Sequence, residues 1–269
     1  MRGYFQVKVI ALIKQVPDTS IALKINAEAT DIVYQDVPWV INPYDEYAVE
    51  EALRIKEKLG GSVTLISIGP DRVTDILRGA LAMGADEAIH LKDAAFDGSD
   101  AYSIAFILSK VLQLSGFDII ICGKQAVDDG WGQVGAALAE MLNITSVSSI
   151  LKLEVAEDRK HAIAHREIDE GLEIVKVPLP ALFTAQQGLN KPRYASLPGI
   201  MKAKKKEIKI LGANGLGISF QDVGRKASSI ELKKLSYPPA RKQGKILQGD
   251  AMTTTKELLN LMRSEAKLI

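Results

Sequence analysis

A chain of 269 residues with one cysteine, three histidines and 6% aromatic residues has little to offer several kinds of chemistry. The lone Cys122 excludes an internal disulfide, and its place inside an apolar run marks a packed thiol in a reducing compartment rather than a redox centre. His90, His161 and His165 show no metal-ligand grouping, because His161 and His165 lie in strand-like sequence where their spacing does not match a helical zinc motif. No metal is expected. Charge excess is absent as well: 34 Lys and Arg stand against 33 Asp and Glu, so no global field recruits nucleic acid or an anionic membrane. No stretch reaches the roughly 18 apolar residues that cross a bilayer, and the opening MRGYFQVKVIALIK is too short in apolar residues for a signal peptide. A cytoplasmic protein without direct membrane insertion is the expectation.

What the chain has is apolar bulk, 47% of its residues, enough for a sizeable core. Short β-rich apolar runs at 7–13, 62–68, 87–91 and 117–122 read as strands, and apolar periodicity predicts helices over 45–59, 71–83 and 100–114. The first helix has Asn42 as a candidate N-cap, Pro43 at its first position and Gly60 as its stop. Strands separated by helices of this length pair in parallel through right-handed crossovers. The fold class is therefore α/β, a mostly parallel sheet with helices on both faces. Strand-like stretches at 146–155, 160–167 and 172–177, separated by turn-prone residues, predict an antiparallel extension of that sheet. The expected organisation is an α/β domain over 1–210 and a C-terminal arm over 211–269. That arm is Gly- and Pro-punctuated, ends in a helix near 253–268, and cannot form its own core, so it docks on its own domain or on another chain.

The run FDIIICG passes into KQAVDDGWGQVG and then the helical AALAEML, a buried strand opening through glycines into a helix. That geometry holds phosphate, because the first amides of a helix have no intrahelical partners. Gly130, Gly132 and Gly135 match G-x-G-x-x-G but come several residues after the strand, unlike a dinucleotide fingerprint, and Gln125 stands where a Walker motif needs Ser or Thr. The ordinary alternative is a tight connection whose glycines serve packing alone. Ligands in parallel sheets bind at the carboxyl ends of strands, which gathers the loops 12–14, 42–45, 68–70 and 123–135 into one pocket. There, backbone near Leu12 and Ile68 would read an adenine edge, with phosphate at the amides of 129–134. Taken alone, Asn42 and Pro43 are simply a helix start. The basic cluster Lys202, Lys204, Lys205 and Lys206 lacks interleaved aromatics and reads as a solvated or partner-facing surface, not a nucleic-acid site.

In order along the chain, KQVPD (14–18), NPYDEYAVEEALRIKE (42–57), RGALAMGAD (78–86), GKQAVDDGWGQVG (123–135), REIDEGLE (166–173) and LNKPRYASLPGIMKAKKK (189–206) resemble the β subunit of electron transfer flavoproteins. The resemblance implies a heterodimer whose α subunit carries most of the FAD site, one-electron carriage by the flavin, and no catalytic residues in β. It places an AMP site on Leu12, Asn42, Pro43, Tyr44, Asp45 and Ile68. The site continues through Gly123, Lys124, Gln125, Ala126, Val127, Asp128, Asp129, Gly130, Trp131, Gly132, Gln133 and Val134. Electrons would come from an acyl-CoA dehydrogenase or related flavoenzyme, as in fatty acid β-oxidation, and leave to a quinone oxidoreductase or other acceptor. Some relatives are said to hold a second FAD in β and to bifurcate electrons from NADH, with a loop resembling D-G-D-T-A-Q-V-G. Asp129 and Trp131 depart from that form and should obstruct a second phosphate, whereas Gln133, Val134 and Gly135 follow it. A third possibility is a stand-alone nucleotide-binding module. The resemblance also makes 185–196 a partner-recognition loop with Leu189 as an exposed anchor. Glu167 would be a rim carboxylate facing an arginine of the α subunit. From the residues alone, Leu189 folds back on its own domain and Glu167 is an ordinary strand-end carboxylate.

Overall fold

A computed structural model describes residues 6–240 and 244–269. From β1 (Val7–Leu12) the chain makes a short antiparallel excursion through β2 (Gln15–Pro17), β3 (Lys24–Ile25), β4 (Ile32–Val33) and β5 (Trp39–Ile41). It then alternates through α1 (Pro43–Leu59), β6 (Gly61–Ile68), α2 (Val73–Met83), β7 (Glu87–Leu91), α3 (Ala101–Ser115), β8 (Ile119–Gly123) and α4 (Val134–Leu142). Next come β9 (Thr145–Val155), β10 (His161–Ile168), β11 (Gly171–Pro178) and β12 (Ala181–Ala185), followed by α5 (Leu197–Lys205), β13 (Ile208–Leu211) and α6 (Ala251–Ser264).

Among the described residues nine strands form one sheet in the order β11-β10-β9-β12-β8-β1-β6-β7-β13. Every neighbouring pair from β9 to β13 in that order is parallel, and only β9, β10 and β11 pair antiparallel. This is the α/β sheet with an antiparallel extension that the sequence predicts. The pattern does not mark β12: ALFTA is too short an apolar run to separate from its neighbours, yet it is buried throughout and lies between β8 and β9, parallel to both. Its place in the middle of the sheet is decided by pairing, not by its own periodicity.

Successive residues of β1 feed opposite faces, as strand geometry requires. Val7, Val9 and Ala11 pack with Leu53 of α1 and Leu77 of α2, while Ile10 and Leu12 pack with Ile107 and Leu112 of α3 and Leu138 of α4. Helices on both faces let β8 be apolar at every core position, from Ile119 through Cys122.

The chain separates into a compact unit ending at Lys233 and a second unit, Lys234–Ile269. Within the first, the segment after β13 is tied down by side chains near the start of α3: the amide of Gly224 donates to Ser99 Oγ and that of Ser229 to Asp100 Oδ2. In the second, Asp250 caps α6 by accepting from the amide of Thr253, and no residue of α6 is buried. Among the described residues no helix is long and apolar enough to cross a membrane.

Candidate functional site

β1, β6 and β7 are laid down in one direction across the sheet, and the chain then crosses back to place β8 on the other side of β1. That reversal leaves a crevice beyond the carboxyl ends of β1 and β8, the position where open parallel sheets take ligands. A cavity of ≈ 280 Å³ lies there. Its walls include thirteen residues that the sequence picks: Leu12, Asn42, Asp45, Ile68, Gly123, Lys124, Gln125, Ala126, Asp129, Trp131, Gly132, Gln133 and Val134. Pro43, Tyr44, Val127, Asp128 and Gly130 are not among its walls. Several of these hold the walls instead.

Two side chains at the start of α1 lock the crevice. Asn42 does not cap its helix by side chain, as the sequence suggests; its Nδ2 donates to the carbonyl of Gln125 at 2.9 Å and its Oδ1 accepts from the amide of Val127 at 3.1 Å. The backbone arriving from β8 passes within reach of this carboxamide and takes both of its hydrogen-bonding ends. Asp45 accepts from the amides of Lys14 at 2.7 Å and Gly123 at 2.8 Å, joining the ends of β1 and β8. Burial pushes its pKa up to about 7, although those two amides, Asn42 and the charge of Lys14 pull the other way. Gly123 has to be glycine: a Cβ there would lie 2.4 Å from Asp45 Oδ1 and 2.6 Å from Tyr44 Cβ.

The loop from Lys124 to Gln133 turns through left-handed glycines, Gly130 at φ 66° and Gly132 at φ 62°. It delivers α4 against the sheet at Gly135, where a Cβ would meet Thr184 Cγ2 at 2.9 Å and Cys122 Sγ at 3.1 Å. The loop's early amides are engaged: that of Gly130 by the carbonyl of Ala126 and that of Trp131 by Asp129 Oδ1. The amides of Gly132, Gln133, Val134 and Gly135 have no hydrogen-bond partner among the described residues, and all four residues line the cavity. Four successive free donors at the positive end of a helix form a cradle for an oxyanion. Apolar walls complete the cavity: Leu12, Ile66 and Ile68 from the sheet, and Ile104 and Leu108 from α3.

Lys14 lies in the 12–14 loop that strand polarity brings to the pocket, but the sequence gives its side chain no role. Its Nζ lies 2.8 Å from both Asp128 Oδ1 and Asp129 Oδ2. Burial works against its charge, but the two carboxylates outweigh that and raise its pKa above the ordinary lysine value. Asp129 is therefore a compensated carboxylate, so the repulsion expected of it toward a second phosphate is weakened. Trp131 lines the cavity, supplying the expected bulk. The Cys122 thiol also faces this region, and burial, then the neighbouring Asp45, push its pKa up, which leaves it a neutral packed group.

Residues 30–214 match the family model described as the electron transfer flavoprotein domain. The chain is 44% identical over 247 residues to the electron transfer flavoprotein subunit beta of Bacillus subtilis, covering 91% of this chain and 94% of that one. It is 42% identical over 257 residues to the subunit of the same name from Thermoanaerobacterium thermosaccharolyticum, covering 95% and 98%. The chain belongs to the electron transfer flavoprotein family, as a β subunit. It is also 36% identical to the caffeyl-CoA reductase-Etf complex subunit CarD of Acetobacterium woodii, over 97% of this chain and 98% of that subunit.

The two residues expected at partner surfaces lie away from the cavity. Glu167, near the end of β10, is exposed and accepts from Gln186 Nε2. Leu189 does not protrude as an exposed anchor would: it is 8% exposed and belongs to the core beside α1. A leucine following a turn here gains more from the adjacent core than from water. The exposed apolar side chains of this segment come later, Tyr194 at 97% and Leu197 at 80%, with Met201 one turn along α5. Both leucines follow the same kind of loop sequence, so composition alone does not tell them apart. The signal that does is the start of α5, where Ser196 caps by accepting from the amide of Gly199 and leaves Leu197 on the outer first turn.

Proposed function

We propose that this chain is the β half of a heterodimeric electron carrier whose cavity holds AMP as a structural nucleotide. The observation that supports AMP is the row of free amides at 132–135, placed beside an apolar slot between the sheet and α3. Phosphate would sit on the amides and adenine in the slot, near Leu12 and Ile68. FAD would be held mainly by an α subunit, which tunes and orients the redox centre. Binding of AMP to the folded state alone raises stability by mass action, with no turnover required. The exposed α6 and the arm from 234 onward would wrap the α subunit, and Glu167 would bias the orientation of its flavin domain. Electrons would arrive from an acyl-CoA dehydrogenase or related flavoenzyme and pass to a quinone oxidoreductase or other acceptor. The docking point for the donor is the apolar knob of Tyr194, Leu197 and Met201, bordered by exposed Lys191, Lys202, Lys204 and Lys205, which suits an apolar pocket with an acidic rim.

A bifurcating complex with a second FAD in β is the second reading, favoured by Gln133, Val134 and Gly135, by compensation of Asp129 by Lys14, and by the similarity to CarD. Nucleotide released from the heterodimer coexpressed with its α subunit decides between them. One FAD and one AMP per heterodimer is the expected result. Two FAD and no AMP would establish the second reading.

A further inference from the structure

The apolar knob is exposed, yet the segment that carries it is pinned to α1 by hydrogen bonds and ion pairs. Leu189 is buried in the core, and Asn190 Nδ2 donates to the carbonyl of Tyr47 at 2.9 Å and to Glu51 Oε2 at 3.0 Å. Arg193 then closes the segment down. Its own amide and Nε donate to Glu50 Oε2 at 3.1 and 2.8 Å, and Nη2 reaches Glu50 Oε1 at 3.1 Å. The outer edge of the guanidinium takes both oxygens of Glu57 through Nη1 and Nη2. Glu50 is only 3% exposed, and its sole other cationic partner among the described residues is Arg54. Burial alone would raise the pKa of Glu50, but the bonds from Arg193 and Arg54 hold it below the usual carboxylate range. Tyr194 is the next residue in the chain, and Leu197 opens the helix three residues later.

Resting on the docking reading above, we propose that Arg193 is the positioning residue for partner docking: its double fork onto Glu50 and Glu57 fixes the knob in its binding geometry before any partner arrives. A side chain held in advance loses less conformational freedom on association, which is where an exposed anchor otherwise forfeits affinity. The planar guanidinium is needed because two carboxylates at different angles are each gripped by paired N–H donors, which an ammonium cannot do. Arg193 itself touches no partner in this proposal; it acts through Tyr194 and Leu197.

The test uses the intact heterodimer with its flavin and a reduced acyl-CoA dehydrogenase as the probe. Arg193→Gln should raise the KM for the heterodimer about tenfold with kcat nearly unchanged, the size expected when an interface anchor loses its support. Arg193→Lys should recover part of that loss. Amide hydrogen exchange over 190–198 should speed up in both variants without any partner present, and bound nucleotide should stay at the wild-type level. Because removing Arg193 leaves Glu50 buried, Glu57→Gln serves as the milder variant: it breaks only the outer fork and should give a smaller rise in KM. A Leu197→Ala variant with raised KM beside an Arg193→Gln variant with unchanged KM would overturn the positioning role. So would a raised KM in Arg193→Gln with unchanged exchange, since Arg193 would then contact the partner directly. If Leu197→Ala leaves KM unchanged, the docking surface itself is wrong.

Discussion

Valine at position 123 is expected to destabilise the protein by about 3 kcal/mol or more and, if the crevice holds the proposed AMP, to abolish its retention. The added Cβ would fall 2.4 Å from Asp45 Oδ1, and this oxygen cannot retreat without breaking its hydrogen bond to the amide of Gly123 and disturbing the bond to Lys14. Tyr44 Cβ, at 2.6 Å, blocks the other side. The ends of β1 and β8 must then part, and the 124–133 loop moves with them. Gly79, inside α2, gives the opposite sign: nothing lies within 4 Å of its added Cβ, so Gly79→Ala should stabilise by about 0.5–1 kcal/mol. Urea denaturation of the two variants checks both, and a Gly123→Val protein with wild-type midpoint and bound nucleotide would show that the crevice is not built on this contact.

Asp45 should make the folded state lose stability as pH rises from about 4 to about 7. Burial is the main cause, lifting its pKa from 3.8 to about 7 in the folded chain. The native state therefore keeps a proton that the unfolded chain has released, and the stabilising contribution is full below pH about 4, declines up to pH about 7 and does not change further above it. A shift of this size corresponds to at most about 4 kcal/mol. Asparagine cannot titrate. It offers one acceptor to the two amides of Lys14 and Gly123, which costs about 1–3 kcal/mol at every pH but adds no slope. Relative to wild type, Asp45→Asn should therefore gain stability between pH 4.5 and 8. Parallel stability curves for the two proteins across that range would refute the assignment of the proton to Asp45.

The alternation of strands and helices through residue 142 could be read from the chain because each segment carries its own punctuation: Asn42 and Pro43 before α1, Gly60 after it, Gly84 after α2, Asp100 capping α3. The loops of the crevice could be read as well, since the polarity rule for parallel sheets needs only strand order and direction. Local sequence is silent about what reaches the crevice from elsewhere. Lys14 is an unremarkable residue after a strand until the 128–129 turn arrives beside it. Ile104 and Leu108 read as core positions of a helix, and become cavity walls only because the crossover from β7 to β8 lays α3 along the crevice.

By itself the sequence determined the α/β class, the glycine-bearing bend before α4, and membership of a flavoprotein family, because these depend on periodicity, backbone permissiveness and residue order. Only the tertiary structure decided that ALFTA is a central strand, that Asn42 clasps a loop instead of capping a helix, and that Leu189 is buried while Leu197 stands in solvent. Each of those outcomes turns on which distant backbone or apolar surface comes within a few ångströms, and a leucine, an asparagine or a five-residue apolar run carries no local mark of that neighbour.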